Sequence, residues 1–316
     1  MPRYLVTGGC GFIGSHLTAM LVASGAEVIV LDDLSTGQPE RVSGGARLIV
    51  GDIRDEATVH RAFASCDACF HLAAIASVPR CETEWARSHD VNLGGAVRVF
   101  EGARDNGNVP VVYASSAAVY GDLGRRALAE HTVPAPISAY GIDKLGCELH
   151  ARTGGRTFGL PTCGLRFFNV FGPGQDPRSP YAGAISLFAE RLCQGRDIDI
   201  FGDGEQTRDY VYVADVVRAL TLGLKAASAA APVFNVCTGF GVSVVRLATQ
   251  LFALRGCSPS IRFCAPRVGD VRHSTGDPSY AAHALSFRAE MEFAAGLEAT
   301  LRHLERRAGV ALETLA

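Results

Sequence analysis

The chain has 316 residues, of which 48% are hydrophobic and 20% charged, with a formal net charge of −2. That is enough chain for one large or two modest domains with a real core, and too apolar for a disordered segment. The near-balanced charge shows no basic stripe, so no nucleic-acid partner is expected. No apolar run is long enough to span a bilayer, so no membrane partner is expected either.

In chain order, a strand candidate at 3–7 (Tyr4-Leu5-Val6-Thr7 within it) runs straight into glycines at 8, 11 and 14, and helix-like sequence follows. It begins so early that no signal peptide is expected, and the location expected is cytoplasmic. Glycines let such a turn close tightly and let the backbone approach a pyrophosphate. The free N–H groups of the following helix face the anion. A second strand candidate, 27–31, ends at Asp32, eighteen residues after Gly14. An acid at about that distance accepts hydrogen bonds from a ribose diol.

Further strand candidates lie at 47–50, 68–72, 110–114 and 161–167. Amphipathic helical patterns separate them, as in Ala96-Val97, Val99-Phe100 and Ala103. The alternation predicts an α/β fold with a parallel sheet and helices on both faces. In such sheets ligands bind at the carboxyl ends of the strands, where Gly8, Asp32, His71 and Ser115 fall. Cys66 and Cys69 form a C-x-x-C pair among ten scattered cysteines. No second ligand pair accompanies them and Cys69 sits inside a strand candidate, so free thiols are expected and no metal.

Tyr140 and Lys144 are four residues apart and would share one helix face. An ammonium beside a phenol favours the phenolate, as does the positive charge of an oxidised nicotinamide, which makes Tyr140 a candidate general base. The pair follows Ala114-Ser115-Ser116-Ala117-Ala118-Val119-Tyr120-Gly121, and Ser116 precedes Tyr140 by twenty-four residues. Beyond residue 166 the pattern loosens. A turn-rich loop covers 172–177, a helix is predicted over 181–194, and a turn over 202–205. Residues 210–225 and 233–237 read as a helix and a strand that rejoin the sheet. The expected division is a dinucleotide-binding domain over 1–165, rejoined by about 210–240, and a smaller substrate-binding domain over 166–209 and 241–316.

Thr7-Gly8-Gly9-Cys10-Gly11-Phe12-Ile13-Gly14 resembles the signature of the extended short-chain dehydrogenases/reductases, with Cys10 where a small residue is more usual. The serine and tyrosine segments resemble those of the NAD-dependent epimerases and dehydratases of nucleotide sugars, closest to the UDP-glucose and UDP-N-acetylglucosamine 4-epimerases. The resemblance implies a Rossmann-like doubly wound sheet with an α/β cap, and NAD as cofactor. A 2′-phosphate, as in NADP, would meet Asp32 and Asp33 as like charges. The implied cofactor residues are Gly8, Gly11, Phe12, Ile13, Gly14, Asp32, Asp52, Ile53, Leu72, Ala73, Ala74, Asn92, Ser115, Tyr140, Lys144 and Phe167. Ser116, Tyr140 and Lys144 are the implied catalytic residues. Ser116, Asn169, Phe201, Arg208, Arg267, Asp270 and Ser274 are the implied contacts to a UDP-sugar. Two arginines suit a diphosphate because guanidinium forks pair with phosphate oxygens.

The related 4,6-dehydratases carry Thr-Asp-Glu where this chain has Ser116-Ala117-Ala118. Alanine cannot move protons, so oxidation and re-reduction at the sugar C4 is expected, through a transient 4-keto sugar. Ser274, the seventh residue after Arg267, stands where the resembled epimerases border the sugar's 2-substituent, and serine leaves room for an acetamido group. Ile75-Ala76-Ser77-Val78-Pro79-Arg80 lacks the lysine of some UDP-glucose epimerases and resembles the N-acetylhexosamine version. Phe167 replaces a tyrosine of some members. UDP-Glc/UDP-Gal and UDP-GlcNAc/UDP-GalNAc are therefore the expected substrate pairs. A net nucleotide-sugar oxidoreductase or dehydratase is the alternative; a non-enzymatic dinucleotide binder is disfavoured by the Tyr/Lys pair. Helices near 92–106 and 139–152 carry Leu93, Val97, Phe100, Ile142, Leu145 and Leu149 on more than one face, which predicts a homodimer through paired helices.

Overall fold

The computed structural model describes residues 1–42, 44–177, 183–267 and 269–308. Thirteen strands are described. In the first part of the chain they are β1 (Arg3–Thr7), β2 (Glu27–Asp32), β3 (Ala46–Val50), β4 (Ala68–His71), β5 (Val111–Ser116) and β6 (Thr162–Phe167). The rest are β7 (Asn169–Phe171), β8 (Ile198–Phe201), β9 (Thr207–Tyr212), β10 (Val233–Val236), β11 (Gly241–Ser243), β12 (Ile261–Cys264) and β13 (His273–Ser274).

Runs such as Val28-Ile29-Val30-Leu31 are buried along their whole length, as a parallel strand covered on both faces requires. Seven strands form one parallel sheet in the order β10-β6-β5-β4-β1-β2-β3. The chain winds outward from β1 to β3, then returns to the other side of β1 and winds out through β4, β5 and β6. The order thus reverses between β1 and β4, whose last residues pair as Thr7 and His71. A crevice opens at such a reversal, outside the carboxyl ends of the strands. One face is packed by helices Phe12–Ala23 and Val213–Ala226, through Leu17, Leu21, Val216 and Leu220. The other is packed by helices Glu56–Phe63, Gly95–Asp105 and Ala139–Phe158, through Phe63, Val99, Phe100 and Cys147.

The helix Ala139–Phe158 starts at a defined place because the Ser138 side chain accepts the Gly141 N–H at 3.1 Å. Such a cap contributes about 1 kcal/mol and fixes the first turn, which carries Tyr140.

The cap is a separate small assembly. β9 pairs antiparallel with β11 and parallel with β13 and β7, while β8 pairs with β12. Helices Ala184–Cys193, Val244–Arg255 and Phe293–Ala308 close a second core around Phe171, Phe188, Leu247, Leu251 and Leu301.

Several elements differ from expectation. Residues 210–212 end β9 rather than begin a helix; the alternating Thr207-Arg208-Asp209-Tyr210-Val211-Tyr212 pairs with strands on both sides. The helix expected over 181–194 runs from Ala184 to Cys193, and 181 and 182 lie outside the described residues. Ala281, Leu285 and Phe287, expected with the cap, pack into the core of the large sheet, and the Tyr280 ring stacks on Phe234 at 5.3 Å. Of the apolar residues expected at a dimer face, Phe100 is buried in the sheet core. Ile142 is 54% and Leu149 51% exposed, with Trp85 at 68% on the neighbouring helix Trp85–His89.

Cys66 and Cys69 are buried thiols, and burial pushes Cys66 up to about 11. Among the described residues no cluster of His, Cys, Asp and Glu could hold a metal, and no helix is long and apolar enough to cross a membrane.

Candidate active site

The crevice is built on close approaches that only small residues permit. Gly8 has φ +72°, and a Cβ there would lie 2.7 Å from the Ala73 nitrogen. A Cβ on Gly14 would lie 2.1 Å from the Gly8 carbonyl oxygen. The turn therefore presses against both the end of β4 and the helix that begins at Phe12. Gly11 caps that helix without a side-chain bond, so its first amides, at Phe12 and Ile13 onward, remain available to an anion.

Asp32 ends β2 and accepts the Cys10 N–H and the Leu34 N–H, each at 2.9 Å. Burial raises its pKa and these bonds oppose the rise. A carboxylate has about four acceptor positions, so two remain for a ribose diol. Asp32, Asp52, Ile53, Leu72, Ala73 and Ala74 line one cleft with Gly8 and Gly11. The Arg54 guanidinium, 2.6 Å from Asp52, holds that carboxyl below its ordinary range.

Three residues expected at the cofactor have other roles for their side chains. Asn92 is 1% exposed, and its amide brackets the Ile75 backbone, accepting the N–H at 2.8 Å and donating to the carbonyl at 3.1 Å. It shapes the loop after β4 from behind. Ser115 turns inward and donates to Glu148 Oε1 at 2.5 Å, because neighbouring residues on a strand face opposite ways. Phe167 packs into the core of the sheet.

Ser116 faces the other way, is half-buried, and accepts the Ala118 N–H at 3.1 Å. Tyr140 is half-buried. The Lys144 Nζ stands 5.7 Å from the centre of the Tyr140 ring and donates to the Ala114 carbonyl at 2.9 Å. Lys144 is thus buried, tied to β5 two residues before Ser116. The helix meets the turn after Ser116 at Gly141, where a Cβ would lie 2.5 Å from the Ala118 carbonyl oxygen. That contact brings Ser116, Tyr140 and Lys144 together. His71 lies close by, buried, with Nδ1 2.7 Å from the Thr7 hydroxyl oxygen. Burial and the Lys144 charge hold its pKa down to about 3, so the imidazole is neutral at working pH and adds no second cation.

Behind the pair runs a buried polar network that sequence reasoning missed. Arg166 and Glu148 form an ion pair at 2.7 Å, with side chains 5% and 2% exposed. Arg166 also donates to the Tyr120 hydroxyl at 2.8 Å, and that hydroxyl donates to Asn235 Oδ1 at 2.7 Å. The network joins the ends of β5, β6 and β10 to the turn that carries Ser116.

In the cap, Asn169, Phe201, Arg208, Arg267 and Asp270 line one cavity. Arg208 pairs with Asp270 at 2.5 Å, and the Arg267 guanidinium lies 3.9 Å from the centre of the Phe201 ring. Ser274 pairs with Arg208 across β13 and β9. Beside Arg208, the buried Asp209 accepts the N–H groups of Thr238, Gly239 and Gly276 and so pins β9 to two neighbouring loops. The arrangement offers a glycine-lined cleft with a buried carboxylate, a phenol beside a buried lysine, and a cap cavity that carries the guanidiniums of Arg208 and Arg267 with the carboxylates of Asp199 and Asp270.

A model of the NAD dependent epimerase/dehydratase family matches residues 4–237. The chain is 36% identical over 312 residues to a UDP-glucose 4-epimerase of Mycolicibacterium smegmatis, covering 96% of this chain and 99% of that one. Among solved structures, it is similar to the UDP-glucose 4-epimerase of Thermotoga maritima with UDP-glucose, at a TM-score of 0.94 and 37% identity, covering 97% of this chain and 99% of that one. It is also similar to a UDP-N-acetylglucosamine 4-epimerase of Methanobrevibacter ruminantium in complex with UDP-N-acetylmuramic acid, at a TM-score of 0.92 and 33% identity, covering 97% and 99%. The chain belongs to the NAD-dependent epimerase/dehydratase family, and its cofactor is NAD.

Proposed function

We propose that this family member is a UDP-hexose 4-epimerase that interconverts UDP-Glc with UDP-Gal and UDP-GlcNAc with UDP-GalNAc. One observation carries the choice of reaction. The end of β5 carries Ser116, the helix Ala139–Phe158 packed beside it carries Tyr140 and the buried Lys144, and alanines fill positions 117 and 118. Elimination of water needs an acid and a base beyond the one phenol, and alanine offers neither.

Bound NAD supplies an acceptor, and then a donor, of hydride at the sugar C4. Tyr140 takes the proton of the 4-hydroxyl and later returns it. The ammonium of Lys144 stabilises negative charge on the phenol oxygen while the proton is away. Ser116 orients the 4-hydroxyl by hydrogen bonding. Arg208 and Arg267 hold the diphosphate, and Asp270 accepts from the ribose. With anchoring confined to the nucleoside diphosphate, the 4-keto sugar can turn about that tether and present its other face. Ser274, small and beside Arg208, leaves space for an acetamido group. The half-exposed Ile142 and Leu149, two helical turns apart, and Trp85 are the face through which a homodimer forms.

Proton NMR of each UDP-sugar after incubation with the purified protein tests this. The expected result is the C4 epimer of both the acetylated and the non-acetylated sugars, with added NADH neither consumed nor required in proportion to product. Turnover of NADH in step with product would establish a net oxidoreductase instead.

A further inference from the structure

Tyr140 and Lys144 stand on the helix Ala139–Phe158, whereas Ser116 ends β5. Their geometry therefore depends on how the helix is set against the strand. A slide of one residue along the helix axis would displace both side chains by about 1.5 Å. Gly141 lets the helix approach the turn at Ala118, but a packing contact alone permits sliding. Among the described residues, two side chains of this helix hydrogen-bond to the sheet, Lys144 to the Ala114 carbonyl and Glu148 to side chains of two strands. Asp143 pairs with His89, and the Cys147 thiol donates to the Asn92 carbonyl, both outside the sheet. Lys144 holds by one bond at the end of a flexible four-carbon stem.

Glu148 holds differently. Ser115 on β5 and Arg166 on β6 are direct register partners, and Glu148 comes down from the helix onto both. Its Oε1 accepts the Ser115 hydroxyl at 2.5 Å and Arg166 Nε at 2.8 Å, and its Oε2 accepts Arg166 Nη2 at 2.7 Å. Both carboxylate oxygens are thus fixed, by two strands, one rung before Ser116 and Phe167 pair. Charge-assisted bonds of this kind are short and geometrically specific. Glu148 and Ser115 are buried, so water does not compete for them. Gly141, Lys144 and Glu148 fall on one face of the helix at successive turns, so fixing Glu148 also fixes Lys144 one turn away.

We infer that Glu148 is a positioning residue for catalysis: through Ser115 it locks the helix against β5 and so sets Tyr140 and Lys144 beside Ser116. Ser115, adjacent to Ser116 but turned into the fold, is the grip on the strand. The inference rests on the reading of Ser116, Tyr140 and Lys144 as the group that takes the proton of the 4-hydroxyl. It does not depend on what becomes of the oxidised sugar.

Steady-state turnover of UDP-glucose and UDP-GlcNAc, with the absorbance of bound NADH as a second readout, tests the inference on the NAD-loaded protein. Ser115→Ala removes the grip and leaves the Glu148–Arg166 pair in place. It should lower kcat at least ~tenfold with KM within about threefold of wild type, since a misplacement of about 1 Å can cost ~10²-fold. Glu148→Asp keeps the charge but draws the carboxylate back by one methylene, and should show the same split. Tyr120→Phe deletes a buried hydroxyl on the far side of Arg166, between Arg166 and Asn235, and should leave kcat within about threefold. Ser115→Ala turning over like wild type overturns the inference and leaves the epimerase reading standing. Equal slowing by Tyr120→Phe would mean general loosening of the network and also overturns it. If wild type reduces its NAD on a UDP-sugar but yields no C4 epimer, the epimerase reading falls; slower NADH formation in Ser115→Ala then still upholds the inference.

Discussion

The carboxyl edge of the large sheet and the cavity of the cap are finished to different degrees. At the sheet edge the groups proposed to do the chemistry are already placed. Lys144 is bonded to Ala114, Ser116 to the Ala118 amide, and the helix bearing Tyr140 touches that same turn at Gly141. In the cap cavity, Arg208 is paired with Asp270, Arg267 rests on Phe201, and Gln175, Gln206 and Tyr210 each keep a buried polar atom with no partner. Preorganisation is worth most where charge moves in the transition state. Recognition can instead be completed by the ligand. Rate should therefore depend on the sheet edge, and choice of sugar nucleotide on the cap.

The largest break in that comparison should come at Tyr140. Tyr140→Phe removes the proton acceptor and should lower kcat about 10²–10⁴-fold, while thermal unfolding stays close to wild type. Ser116→Ala should cost less, since Tyr140 still reaches the hydroxyl. Near-normal turnover by Tyr140→Phe would mean that the sheet edge does not hold the base.

The network behind the edge should act on stability. Glu148→Ala leaves the Arg166 guanidinium buried without its carboxylate and the Ser115 hydroxyl without its acceptor. Breaking a buried pair in this way costs about 3–5 kcal/mol. Denaturant unfolding should show that loss, and a change below about 1 kcal/mol would mean that water reaches the pair.

The cap should respond more narrowly. Ser274→Tyr places a ring beside Arg208 and should lower kcat/KM for the N-acetylated pair at least tenfold while sparing UDP-Glc and UDP-Gal, because a filled pocket does not easily repack. Parallel loss on both pairs, measured by product NMR, would place the 2-substituent elsewhere.

The parts legible in the sequence were those encoded at short range. The glycine turn, Asp32 and the Tyr140–Lys144 spacing are local patterns, and the alternation of apolar runs gave the doubly wound sheet. What escaped depends on distant partners or on strand facing. Glu148 meets Ser115 from 33 positions away, and no spacing rule announces it. Adjacent serines look equivalent in a string, yet Ser115 points into the fold and bonds Glu148, while Ser116 is half-buried and bonds the Ala118 amide. Asn92 has a side chain suited to a ligand, but two bonds to Ile75 occupy it. Residues 210–212 were read with the helix that follows them, although their pairing in β9 overrides that pattern. Gly141 was visible as part of the Tyr140–Lys144 segment, but its contact with Ala118 is a tertiary fact.

Epimerisation of UDP-glucose in deuterium oxide tests most directly the central claim that an acid-free strand end confines chemistry to C4. On the proposed mechanism hydrogen leaves C4 and returns there without exchanging with solvent, and no group at positions 117 or 118 can move a proton at C5. NMR of the product should show UDP-galactose with every carbon-bound hydrogen retained. Deuterium at C5, or a 6-deoxy-4-keto sugar among the products, would contradict the account.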